Sequence, residues 1–323
     1  MNILITGGLG LIGHNVVNKL ENLGHNVVIT DTETTYGIIP TDEIEYLMSE
    51  RRKKIKTNKI YKFDILDQTN IEWLFSGYKF DIVIHMASFP RQKVVNSNPR
   101  HGSKIMCEGM INLLEASKKY NVKKFVYISS SMVYGDFTDD VKEDYNCKPQ
   151  GQYGILKLTG EHLLKDYTRR GCFDHVIIRP SAVYGPLDVE DRVIAKFLLT
   201  AMRGGVLKVN GATETLDFTY VDDAAEGIVA ASLSNNTINK TYNITKSHSR
   251  SLLYAAELAI KIVGRGSIEV KEKDVDFPSR GSLNISKARQ DFNFNPKVDV
   301  EEGFQKYSEW LNNSIYWKTQ LSK

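Results

Sequence analysis

Cysteine is scarce in this chain. There are three among 323 residues, Cys107, Cys147 and Cys172. An odd, widely spaced set excludes a disulfide framework and leaves no pair suited to zinc or thiol redox chemistry, so no metal is expected and a reducing cytosol is the simplest compartment. Long apolar runs are also missing. No window approaches the ~18 residues a membrane helix needs. The sequence enters an apolar strand at Ile3-Leu4-Ile5 with no basic stretch and long apolar core before it, so no secretory leader, no membrane partner and a cytoplasmic location are expected. Charge of one sign is lacking too. Lys and Arg number 42 against 39 Asp and Glu, a net of +3, which gives no concentrated basic face for nucleic acid. The one basic cluster, Arg51 to Lys54, reads first as a solvated helix face. No low-complexity segment or repeat is present.

What is there is the composition of an ordinary soluble globular protein, 41% hydrophobic and 25% charged, long enough to bury its own core. Short β-type runs alternate with helical patterns. Asn2 to Thr6 reads as strand, Leu11 to Leu23 as helix and Asn26 to Thr30 as strand. Ile60 to Phe63, Ile82 to His85, Phe125 to Ser129 and His175 to Ile178 continue the strands, with helices at Gly109 to Tyr120 and Tyr153 to Arg169. The strands are apolar at consecutive positions, as strands covered on both faces are. This pattern predicts an α/β fold with a doubly wound parallel (Rossmann) sheet over residues 1–186. Residues 187–323, where turn signals such as Gly204-Gly205 and Asn210-Gly211 loosen the rhythm, are expected to form a smaller C-terminal substrate lobe interleaved with the end of the sheet. An insertion, 36–58, interrupts the first part.

Thr6-Gly7-Gly8-Leu9-Gly10-Leu11-Ile12-Gly13 lies between the first strand and first helix. Gly7, Gly10 and Gly13 allow a tight turn, close approach of a pyrophosphate and close packing of helix on strand. The N–H groups at Leu11 and Ile12 open the helix toward phosphate. Asp31, 18 residues after Gly13, ends the second strand, where a carboxylate accepts from ribose hydroxyls and repels a 2′-phosphate. The cofactor is therefore read as NAD rather than NADP. Asp64 and Ile65 after the third strand, and Met86, Ala87 and Ser88 after the fourth, fall where strand ends line the adenine and ribose-phosphate. His85 is read as a core histidine.

Tyr153 and Lys157 stand one turn apart on one helix face. A phenol titrates near 10, too high for a base at neutral pH, and a nearby cation lowers it. Upstream, a buried strand ends in Ser129-Ser130-Ser131, and a serine at that edge can hydrogen-bond a substrate oxygen as its proton leaves.

Together these residues resemble the NAD-dependent sugar-nucleotide epimerase/dehydratase family, the extended short-chain dehydrogenases. The likeness extends to Leu113-Leu114-Glu115-Ala116, to Arg179-Pro180 through Val183-Tyr184-Gly185-Pro186, to Asp217-Phe218-Thr219-Tyr220-Val221-Asp222-Asp223, and to Asn284-Ile285-Ser286-Lys287-Ala288 before Asn295-Pro296. The resemblance implies catalysis by Ser130, Tyr153 and Lys157, with Tyr153 taking the proton of a sugar hydroxyl, usually at C4, while hydride passes to the nicotinamide. It adds Ser129, Pro180 and Val183 to the cofactor contacts and implies that Ser131, Met132 and Val209 border a nucleotide-diphosphate sugar. Family dehydratases carry acids just after the catalytic hydroxyl. Here those positions are Ser131 and Met132, which leaves simple C4 redox chemistry.

The family's usual polar residues are replaced by Ala182, Leu216 and Met106, so Arg91, Arg192 and Arg280 are expected to grip the diphosphate. These departures point to a 4-dehydrogenase giving a 4-keto sugar. A 4-epimerase with tightly bound NAD is the alternative, and a non-catalytic NAD-binding regulatory protein a more distant one. The insertion and Phe89-Pro90-Arg91 resemble capsule-polysaccharide enzymes acting on GDP-manno-heptose. The insertion places Ile44, Leu47 and Met48 at helical spacing beside Arg51 to Lys54. A stripe of that kind needs a cover: a subunit contact in a homo-oligomer is the expected one, and a helix folded back on its own domain is the alternative.

Overall fold

The computed structural model describes residues 1–34, 39–89 and 91–322. Its elements begin with β1 (Asn2–Thr6), α1 (Leu11–Asn22), β2 (Asn26–Asp31), α2 (Thr41–Lys53), β3 (Ile60–Lys62), α3 (Gln68–Gly77) and β4 (Ile82–His85). There follow α4 (Gln92–Ser97), α5 (Pro99–Ser103), α6 (Met110–Lys119), β5 (Lys124–Ile128), α7 (Gln152–Arg169) and β6 (Asp174–Pro180). Then come β7 (Val183–Tyr184), α8 (Val193–Met202), β8 (Val206–Asn210), β9 (Thr215–Asp217), β10 (Thr219–Tyr220), α9 (Val221–Leu233) and β11 (Lys240–Ile244). The chain closes with β12 (Ser249–Ser251), α10 (Leu252–Val263), β13 (Ser267–Lys271), α11 (Ser286–Phe292), α12 (Val300–Asn313) and α13 (Ile315–Leu321).

Among the described residues, seven parallel strands form the main sheet in the order β3-β2-β1-β4-β5-β6-β11. The strand period of two divides its side chains between two cores. Ile3 and Ile5 of β1, Ile82 and Ile84 of β4, and Val126 and Ile128 of β5 meet α1 and α9 on one face. Leu4, Val83, Phe125 and Tyr127 meet α3, α6 and α7 on the other. Consecutive apolar residues are what both-sided burial requires, which is why these strands were readable. A π-helical turn, Lys104–Gly109, leads into α6 where a continuous helix from Gly109 was expected. Gly109 is needed there, because a Cβ would stand 2.6 Å from Ile65 Cδ1.

A third core joins α8, α10, α12 and α13 around β8, which pairs with β13. Strand β11 returns from this region to complete the main sheet beside β6.

The insertion departs from expectation. Tyr36 at its start lies outside the described residues, as does Pro90 of the Phe89-Pro90-Arg91 motif. Helix α2 packs Ile44 and Met48 into the same core as Val17 and Ile29, and Leu47 is wholly buried. Its Tyr46 stacks on Tyr316 of α13 at 4.9 Å between ring centroids and hydrogen-bonds the Ser314 hydroxyl at 2.8 Å. The apolar stripe is covered by the protein's own chain, so the reason for expecting a subunit contact is gone.

Candidate active site

The order of strands reverses between β1 and β4, and at such a switch point the loops diverge and leave a crevice at the strand ends. The glycine loop fills one side. Gly7 has φ +70 and its N–H donates to Thr30 O at 2.7 Å. A Cβ at Gly7 would lie 2.7 Å from Ala87 N, and one at Gly13 would lie 2.4 Å from Gly7 O. Gly10 caps α1 without any side-chain hydrogen bond, so the first N–H groups of that helix, at Leu11, Ile12 and Gly13, have no side chain spent on them. Both Leu11 and Ile12 are half-buried.

Asp31 ends β2 with its oxygens already oriented. Oδ2 accepts from Leu9 N at 2.9 Å and Oδ1 from Glu33 N at 2.8 Å. Burial raises its pKa, and those two N–H donors oppose the rise. Asp64 is a turn former in this structure, with Oδ1 accepting from Leu66 N at 3.0 Å, while Ile65 is buried. Met86 and Ala87 are half-buried beside Gly7. The buried Ser88 hydroxyl has no partner. A glycine cradle closed to any Cβ, an open helix N-terminus and an unspent buried hydroxyl fit NAD. His85 meets Thr6 Oγ1 at 2.7 Å and is pushed down to about 3 by burial, then by the Lys157 charge. It is a neutral core histidine, as read.

The catalytic residues converge from two elements. Ser130 caps a 3₁₀ turn, Ser131–Tyr134, accepting from Met132 N at 3.2 Å. Its hydroxyl is near enough to the Tyr153 phenol, at the start of α7, to lower that group's pKa. Burial raises the Tyr153 pKa, and the charge of Arg192 and the Ser130 hydroxyl pull it back. Lys157 follows Tyr153 by one turn of α7. Its Nζ donates to Ile128 O at 2.8 Å and stands 5.8 Å from the Tyr153 ring centroid. Burial brings the ammonium itself down to about 7, against the pull of Glu161. The lysine side chain reaches under the sheet edge to a strand-end carbonyl, so it serves the phenol by position rather than by charge alone.

Behind this pair lies a buried network that the sequence reading missed. Glu161 receives Arg179 through Nε at 2.9 Å and Nη2 at 2.6 Å. The Ser129 hydroxyl donates to the same carboxylate at 2.6 Å. Glu161 follows Lys157 by one helical turn on the same face, a spacing that could have disclosed it. Gln92 was also missed. It is buried, its Oε1 accepts from Tyr153 N at 3.3 Å, and a Cβ on Gly151 would fall 1.4 Å from its Nε2. No local spacing announces a partner 61 residues away.

The residues expected at the substrate divide into two groups. Ser131 donates to Ser181 Oγ at 3.2 Å, and both it and Met132 are buried in the protein. Val209 is wholly buried in the core around β8. The physical reason is common to all three: short or apolar side chains at these places fill protein space. The arginines differ. Arg91 pairs with Asp191, and Arg192 Nε lies 4.0 Å from Asp188 Oδ1. Arg192 acts electrostatically on both Tyr153 and Arg91. Arg280 is pushed down to about 10 by burial, and its Nε has no partner. It is an unspent donor suited to an anion. Pro180 is buried at the end of β6, and Val183 begins β7 half-buried.

Known proteins resemble this chain along nearly its whole length. It is 30% identical to a putative UDP-glucose 4-epimerase of Methanocaldococcus jannaschii, covering 97% of this chain and 99% of that one. It is 28% identical to the uncharacterised UDP-glucose epimerase YtcB of Bacillus subtilis over 98% and 99% of the two chains. The crystal structure of a UDP-glucuronic acid 4-epimerase from Bacillus cereus, in complex with UDP-glucuronic acid and NAD, superposes with a TM-score of 0.89 at 29% identity, covering 97% and 99%. A sequence profile of the NAD dependent epimerase/dehydratase family matches residues 3–245. With the glycine cradle, Asp31 and the Ser130–Tyr153 pair in place, the chain belongs to that family and is an NAD-dependent enzyme of nucleotide sugars.

Proposed function

We propose that this enzyme is a 4-epimerase of a UDP-linked hexose or hexuronic acid. The observation that carries the reading is that the turn capped by Ser130, whose hydroxyl lowers the Tyr153 pKa, continues with Ser131 and Met132, which are buried and carry no acid. Such a site can take a proton from a hydroxyl and give it back, but has no group there to expel water from the neighbouring carbons. The relatives named as UDP-sugar 4-epimerases support the epimerase over the net 4-dehydrogenase expected from the unusual phosphate positions. They favour UDP over GDP-manno-heptose, and nothing in them speaks for a capsule pathway.

In the reaction, Ser130 donates to the C4 oxygen and Tyr153 accepts its proton. NAD held by the Gly7 to Gly13 loop and Asp31 would supply the hydride acceptor and donor for C4. Arg192 offsets the negative charge that forms on the phenol, and Lys157, held by Ile128 O, keeps the start of α7 against the strand end. Tyr153 then returns the proton to the epimeric alkoxide.

The test is incubation of the purified enzyme with UDP-glucose, UDP-galactose, UDP-glucuronate and UDP-galacturonate, with products resolved by NMR. A mixture of C4 epimers reached from either side, without net NADH, is expected. Tyr153→Phe should lower turnover by roughly 10²- to 10⁴-fold, the usual loss for a general base, with NAD still bound. Accumulating NADH with a 4-keto product would replace the epimerase by the dehydrogenase.

A further inference from the structure

Within the basic run Arg51 to Lys54, Arg51 is buried and the other three are exposed. Its guanidinium makes three hydrogen bonds, all to main-chain carbonyls. Nη1 donates to Leu9 O at 2.9 Å, while Nε and Nη2 both donate to Leu187 O at 3.2 and 2.7 Å. The two carbonyls belong to separate loops. Leu9 lies in the glycine loop, and its own N–H is held by Asp31, so this residue is gripped at both ends of its main chain. Leu187 has φ +70, a left-handed conformation that a bulky residue adopts only under constraint.

Charged residues follow Leu187 in the chain. Asp188 is buried with Oδ2 unpartnered. Glu190 N donates to Glu43 Oε1 at 2.7 Å, a second hold by α2 on the same loop. Asp191 pairs with Arg91, and the charge of Arg192 lowers the pKa of the catalytic phenol. A planar guanidinium presents its donors in a fixed fork. Two loops bonded to one such fork cannot move independently without breaking a buried, charge-assisted bond.

We infer that Arg51 is a positioning residue that couples the cofactor loop to the 187–192 loop, so that NAD bound at Gly7 to Gly13 also fixes the side chains around Tyr153. This assigns the insertion a role in catalysis in place of an interface. It rests on the proposed function in taking 187–192 as the border of the sugar subsite. The experiment uses NAD alone, so its result and that of the epimerisation assay stand apart.

Hydrogen exchange is followed on the intact protein with and without saturating NAD, for the wild type, Arg51→Met and Arg51→Lys. In the wild type NAD should slow exchange both at 7–13 and at 187–192, the latter by roughly tenfold, an ordinary size for coupling between sites. Arg51→Met should keep the NAD effect at 7–13 and lose it at 187–192. Arg51→Lys, whose ammonium cannot span both carbonyls, should do the same and serves if the methionine variant does not fold. A merely structural role would speed exchange in the absence of NAD but leave the NAD-dependent difference in place. Wild-type protein whose 187–192 amides ignore NAD, or an Arg51 variant with the full NAD effect there, overturns the coupling.

Discussion

Asp31 is oriented before any ligand meets it, because Leu9 N and Glu33 N each occupy one of its oxygens. Each oxygen keeps a second lone pair for a ribose hydroxyl. Asp31→Asn preserves the shape but sets an NH₂ against one of those N–H groups and removes the charge that repels a 2′-phosphate. NAD affinity should fall by roughly 10- to 100-fold, the 1–3 kcal/mol of a buried donor left unpaired, and the preference for NAD over NADP should shrink. Titration of both cofactors checks this, and an unchanged preference would place the ribose elsewhere. Residues of this kind were legible because glycine spacing and a strand-end acid are local signals. Tyr153 and Lys157 stand at a local helical spacing, whereas Ser130 was singled out from three consecutive serines only by the family resemblance. The anchoring of Lys157 was not legible, since it depends on where Ile128 O lies in space. Gln92 and Arg179 act through partners distant in sequence and left no trace in spacing.

Helix α2 shows how an element can be recognised and its partner mistaken. Its stripe of Ile44, Leu47 and Met48 predicted a covered face correctly, and Arg51 falls on that same stripe, one turn beyond Leu47. Read by periodicity rather than as part of a charge run, Arg51 was separable from its three neighbours. What covers the stripe could not be read, because α1 and α13 arrive from opposite ends of the chain. The helix also carries a titration. Glu43 is raised from an ordinary 4.5 to about 7 by burial, with Glu190, Asp188 and Asp42 adding repulsion and the Glu190 N–H opposing them. The folded value lies above the unfolded one, so between these two pH values the folded chain holds a proton that the unfolded chain has lost. Stability is therefore greatest below the window and falls as pH rises through it. Glu43→Gln keeps an acceptor for Glu190 N and should remove about 1–2 kcal/mol of that fall, allowing for solvent screening. Urea unfolding at pH 5 and pH 8 measures it. Equal pH dependence in both proteins would show that Glu43 is ionised throughout.

At the scale of the molecule, the core on one face of the sheet and the core around β8 are joined where α2 meets α13. Trp317 is buried in the last of these cores. Its backbone N–H bonds Ser314 Oγ at 3.3 Å, the same hydroxyl that meets Tyr46. Trp317→Ala should cost about 3–5 kcal/mol, as loss of a buried aromatic usually does, measured by denaturant midpoint with unchanged slope. A loss within about 0.5 kcal/mol, the size of a surface substitution, would make α13 an appendage. The order of strands in the main sheet carries a different consequence, for synthesis. Strand β6 is complete at Pro180, but the strand that pairs with its outer edge, β11, begins only at Lys240. A chain emerging from the ribosome thus holds an apolar parallel edge open while α8, β8 and α9 are still being made, and an unpaired edge of that kind invites pairing with another chain. The sheet and the lobe are therefore obliged to mature together, and a chain halted between these two strands is the form of this protein most exposed to aggregation.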